Sequence, residues 1–105
     1  MKIDKFNELK VGDKVTVIKT LKSGYYNRNT NVYIPNDNRC VSQAGFLFCN
    51  KEMLKYAGEV HTILGMTSCG SHLTLTTEEP TDGRTWSWNR CMVRSVRKTD
   101  MKEGV

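Results

Sequence analysis

The sequence predicts an all-β protein, a small antiparallel barrel of about five short strands. It would carry one short helix or 3₁₀ turn and one long loop after the first strand. Three observations predict this. Short β-branched stretches alternate apolar and polar residues with period two. Glycine, asparagine, aspartate and proline punctuate the chain closely between those stretches. Helical spacing of apolar residues never lasts beyond a turn or two.

Each element follows from its residues. Ile3, Phe6 and Leu9 recur three apart, which suits one short turn or helix at the start. Gly12-Asp13 is a turn that launches a β-branched, nearly alternating first strand over 14–21. Residues 22–45 hold Gly24, Asn27, Asn29, Asn31, Pro35, Asn36, Asp37, Asn38 and Gly45, so they read as a long loop. A short strand within it is possible at 31–34. Phe46-Leu47-Phe48 is a brief apolar stretch. Asn50 reads as an N-cap, Glu52 as a first-turn acid and Gly58 as the glycine just past a two-turn helix. The second strand spans 59–64, with Val60 and Ile63 taken as core and His61 as facing the polar side. The third spans 72–77, with Leu73 and Leu75 inward. A loop closed by Asp82-Gly83 leads to a fourth strand at 85–88. A turn at 90–92 leads to a fifth at 93–96. This is the strand order of an SH3-like barrel, and closure removes exposed edges in a short chain.

The 105 residues predict one domain over 1–105, with the barrel at about 11–97, the loop at about 22–45 and a polar tail at 98–105. About two-thirds of the unfolded surface would be buried, enough for one modest core and no two-domain cleft. No apolar run is long enough to form a membrane-crossing helix. The first ten residues carry five charges and no apolar signal region, so a cytoplasmic location is expected. The net charge of +5 is unevenly spread. Residues 14–51 and 84–98 are basic, whereas 52–83 set Lys55 against five acids.

No catalytic or metal constellation stands out. Cys40, Cys49, Cys69 and Cys91 form no Cys-x-x-Cys pair, and His61 and His72 lack zinc-finger spacing. Reduced, partly buried thiols are expected, with no metal and no cofactor. Cys69 and His72 could meet across a turn, yet no orienting acid lies nearby in sequence. The Glu78-Glu79 pair sits at a hairpin tip, where nothing would separate the two pKa values.

Candidate binding residues fall in two regions. The loop holds Tyr25, Tyr26 and Tyr33 with Arg28, an aromatic–cation mixture that suits a partner surface or nucleic-acid bases. The tyrosines could instead fold back and close the barrel. Trp86 and Trp88 share one side of a strand, followed by Arg90 and Arg94. A partly exposed Trp88 beside Arg90 would form a cation–π patch. Both tryptophans could equally be core. Arg84, Arg90, Arg94, Arg97 and Lys98 could together meet a phosphate backbone.

Val11-Gly12-Asp13-Lys14-Val15 is similar to the opening of many SH3-like and KOW-like barrels. Phe48-x4-Met53-x4-Gly58-x4-Ile63, followed by Trp86-x-Trp88-x3-Met92, resembles a group of small bacteriophage-encoded proteins. Their SH3-like barrel is related to the mind-bomb-type domain. The likeness spans 11–96, interrupted by 23–45, which is longer than the family pattern. It implies a viral protein with this fold, located in the host cytoplasm. Relatives that bind protein segments imply protein recognition, an analogy at the level of fold. The resulting expectation is a non-enzymatic module that binds a host protein, a contact that would inhibit a host process or defence system. The alternative is a nucleic-acid-binding barrel using the 84–98 cations. The oligomeric state is left open.

Overall fold

The run Lys14-Val15-Thr16-Val17 forms β1 (Lys14–Val17) and places Val15 and Val17 on one face, both fully buried. The structure, a computed structural model, describes residues 1–35, 46–67, 72–77 and 86–100. The other described elements are α1 (Ile3–Asn7), β2 (Gly24–Asn27), β3 (Tyr33–Pro35), β4 (Phe46–Cys49), a 3₁₀ helix (Lys51–Tyr56), β5 (Val60–Met66), β6 (Leu73–Leu75) and β7 (Val93–Arg94). The protein is mostly β, and the paired strands run antiparallel. A curled four-stranded half-barrel has the order β6-β5-β1-β7, and a three-stranded sheet has the order β3-β2-β4.

The long loop expected at 22–45 is corrected. β2 and β3 lie inside it and pair as a hairpin. Among the described residues, the asparagine-rich turn chemistry falls in the connection between them. Asn27 Oδ1 accepts the N–H groups of Asn29 at 2.8 Å and Thr30 at 3.1 Å, and Asn31 takes a left-handed φ of 61°. Residues 36–45 lie outside the described residues. Phe46-Leu47-Phe48, read only as an apolar stretch, begins β4 and pairs with β2.

The phase of β5 is also corrected. Val15 lies opposite His61 and Thr16 opposite Val60. Opposed residues share a face, so His61 and Ile63 turn toward the core and Val60 does not. A bulge between Ile63 and Gly65 absorbs one residue, leaving Leu64 exposed and returning Met66 to the core beside Leu73. Among the described residues, the expected fourth strand is a single bridge. Trp88 exchanges backbone hydrogen bonds with Leu73 at 2.7 and 2.9 Å. Thr85 and the expected 78–83 loop lie outside the described residues.

Other local signals hold. Asn50 Oδ1 accepts the Met53 N–H at 3.1 Å, capping the 3₁₀ helix, and Gly58 follows its end at φ 85°. The cap orients Met53 and Tyr56 into the core. In α1 only Phe6 is buried, while Ile3 is exposed. The two sheets are joined through 89–91. Asn89, fully buried, donates from Nδ2 to the Tyr26 carbonyl at 3.0 Å. Its Oδ1 accepts the Cys91 N–H at 3.0 Å, and the Cys91 thiol donates to the Asn27 carbonyl at 3.2 Å.

Leu75 is 1% exposed and sits opposite Ile63. Leu75→Ala should lower stability by about 2–5 kcal/mol, read as a fall in the urea midpoint. An unchanged midpoint would remove β6 from the core.

Candidate functional site

Strand alternation separates the three loop tyrosines. Tyr26 is opposite Tyr33 and Leu47, and this row faces the core. The Tyr26 and Tyr33 rings lie 4.9 Å apart. The Tyr26 hydroxyl accepts the Lys22 N–H at 3.0 Å, and the Tyr33 hydroxyl donates to the Ser23 carbonyl at 2.7 Å. Burial pushes the Tyr26 pKa up. These two tyrosines therefore close the core.

Tyr25 points the other way. It lies opposite Ile34 on β3 and Phe48 on β4, so Ile34, Tyr25 and Phe48 make a row across the outer face. The Tyr25 and Phe48 rings meet at 5.1 Å. Phe48 is 40% exposed and Val32, just before β3, 48% exposed. Phe46 shares the side of Phe48 on β4. Gly24 permits the sheet to close. At φ 153°, an added Cβ would lie 2.6 Å from the Ile34 carbonyl oxygen and 2.9 Å from the Tyr33 hydroxyl. Arg28 is half-buried, and its charge adds to the burial that lowers the His72 pKa.

The tryptophans do not form a surface patch. Trp88 is 0% exposed and Trp86 9%, with ring centroids 6.3 and 5.5 Å from Tyr56. This corrects the expectation of an exposed Trp88–Arg90 contact: the neighbouring core draws both indoles in. Arg90 and Arg94 are engaged within the chain. Arg90 Nη1 donates to the Met1 carbonyl at 2.9 Å. The Met1 amino group in turn donates to the carbonyls of Arg90 at 2.7 Å and Val93 at 3.1 Å, and burial lowers its pKa. Arg94 forks onto Asp100, with both Nη atoms 2.8 Å from its two oxygens. Asp100 Oδ2 also accepts the Thr16 hydroxyl at 2.9 Å and the Arg97 N–H at 2.7 Å. These donors, led by Arg94, hold the Asp100 carboxyl far below the usual carboxylate range.

His61 carries the closest approach to an acid–base array. Its Nε2 lies 2.9 Å from Glu59 Oε1, and its Nδ1 lies 3.0 Å from the Thr76 carbonyl and 3.2 Å from the Thr76 hydroxyl. That hydroxyl already accepts the Thr62 N–H at 3.1 Å, and the ring packs edge-on against Tyr56. The contacts tie β5 to β6. Cys49 is fully buried, which pushes its thiol pKa up to about 12, and burial raises that of Cys91. Cys40, Cys69 and the Cys69–His72 pairing fall outside the described residues. Among the described residues, no three His, Cys, Asp or Glu side chains gather as a metal site, and no helix is long and apolar enough to cross a membrane.

Sequence reasoning identified Tyr25 by residue type but missed Phe48, Ile34 and Val32. The available signal was the Phe46-x-Phe48 alternation. No protein-family model, curated protein or solved structure matches the chain.

The Asp100 clasp makes a pH prediction. Its folded pKa lies below the ordinary value of 3.8, so its stabilisation is fully present above that value. It fades as pH falls through the folded pKa. Wild type should be more stable than Asp100→Asn at neutral pH, with the gap narrowing below about pH 4. Denaturation midpoints across pH check this; a gap that persists undiminished into strong acid contradicts it.

Proposed function

We propose that this chain is a non-enzymatic binding module of phage origin. It recognises a host protein in the host cytoplasm through the outer face of the β3-β2-β4 sheet, and such binding would inhibit a host process. The SH3-like barrel is the fold assignment that accompanies this reading. The Ile34–Tyr25–Phe48 row carries it. Aromatic side chains dominate protein hot spots because they bury much area with few rotatable bonds. Here two aromatic rings in contact lie on adjacent strands, with exposed Val32 extending the apolar character. Grouped exposed apolar side chains favour a partner more than isolated ones do. The resemblance to barrels that bind protein segments points the same way. The phosphate-backbone alternative is weakened because Arg90 and Arg94 are engaged in the fold.

The test is capture from nuclease-treated host lysate on immobilised protein, followed by affinity measurement with the purified partner. Phe48→Glu and Tyr25→Ala should each weaken binding by at least about tenfold, as expected for loss of a hot spot, with near-UV circular dichroism preserved. Capture that disappears with nuclease, or affinity unchanged in both folded variants, would reject the reading.

A further inference from the structure

A groove of about 630 Å³ lies where the chain leaves β1, passes Gly58, and returns at 94–100. Its chemistry is one-sided. Lys19, Arg94 and Arg97 line it with the hydroxyl residues Thr20 and Thr99, and among the described residues Asp100 is its one acid. Asp100 is already committed, accepting from Arg94, Thr16 and the Arg97 backbone. Arg94 is nearly neutralised by that fork. Among the described residues no carboxylate pairs with Lys19 or the Arg97 side chain, and both residues are exposed. Gly58 helps to place the first. A Cβ there would sit 3.2 Å from Lys19 Cγ, so the lysine stem lies across the glycine.

We propose that this groove binds a small-molecule phosphate monoester. Lys19 and Arg97 match a phosphate dianion, and the guanidinium, ammonium and hydroxyl groups supply donors suited to its oxygens. The committed Asp100 fixes Arg94 and contributes no competing acceptor. The volume falls within the roughly 300–1,000 Å³ typical of small-ligand pockets, far more than a bare phosphate fills. The site uses none of the residues of the Ile34–Tyr25–Phe48 face.

Amide chemical shifts of the full chain can be followed while inorganic phosphate, uridine monophosphate or uridine is added. The monophosphate should bind more tightly than phosphate, perturbing residues 19–20, 58 and 97–100, and uridine should leave them unmoved. Lys19→Gln and Arg97→Gln should each weaken the monophosphate about tenfold, the scale of one exposed charge-assisted contact. Both variants should fold, because the Asp100 clasp uses only the Arg97 backbone N–H. Lys10→Gln, which removes an exposed charge outside the groove, should leave affinity unchanged. The proposal is overturned by absence of saturable binding, by equal affinity for phosphate and monophosphate, by binding of uridine, or by equal weakening in Lys10→Gln.

Discussion

The carboxylate of Asp100 gathers donors from β1, β7 and the segment between β7 and the 98–100 turn. Thr16 is the outward-facing residue of a central strand and would ordinarily meet solvent. It is 0% exposed because this carboxylate and its surroundings cover it. The clasp thus covers Thr16 on the second face of β1, where Lys14 stays exposed, while the first face forms the core. Four charge-assisted or polar contacts on one carboxylate compensate its partial desolvation. Removing a single donor would leave the remaining charge less well satisfied.

A second constraint joins the sheets. Asn89 and Cys91 bond to the backbone of β2 from a segment anchored by Trp88 and Met92, both fully buried. A buried amide satisfied at both ends specifies one arrangement, because any slip strands a donor or acceptor. The position of β2, and with it the direction of Tyr25, follows from the tryptophan core. The Trp-x-Trp segment therefore supports the candidate surface without belonging to it.

Local patterns were legible in sequence and long-range ones were not. Val15, Val17, Leu73 and Leu75 announced their faces by alternation, and Asn50 and Gly58 marked the 3₁₀ helix by capping chemistry. The phase of β5 was ambiguous because Val60 and Ile63 fit opposite alternations, and the bulge before Gly65 disguises the true one. Asparagine misled at 22–35: Asn27 ends a strand while its side chain caps the following turn, so one residue serves both elements. The Thr16–Asp100 contact spans 84 positions and leaves no periodic trace. Tyr25 was recognisable as a candidate, but its separation from Tyr26 required the strand register.

That register changes the physical character of the candidate surface. A mobile aromatic loop would lose conformational freedom on meeting a partner, which subtracts from affinity. Here Tyr25 and Phe48 stand on paired strands. The adjoining turn is capped by Asn27, and Tyr33 ties β3 back to Ser23. Much of the ordering cost is therefore met during folding, leaving mainly side-chain freedom to be lost on association. Pre-ordering also restricts which partner shapes fit, favouring a complementary apolar ridge or groove over a phosphate chain. Two of the arginines that might have attracted such a chain instead hold the scaffold: Arg90 at Met1 and Arg94 at Asp100. Arg90 and Arg94 thus serve the fold, whereas the candidate recognition surface is a separate, apolar row facing outward.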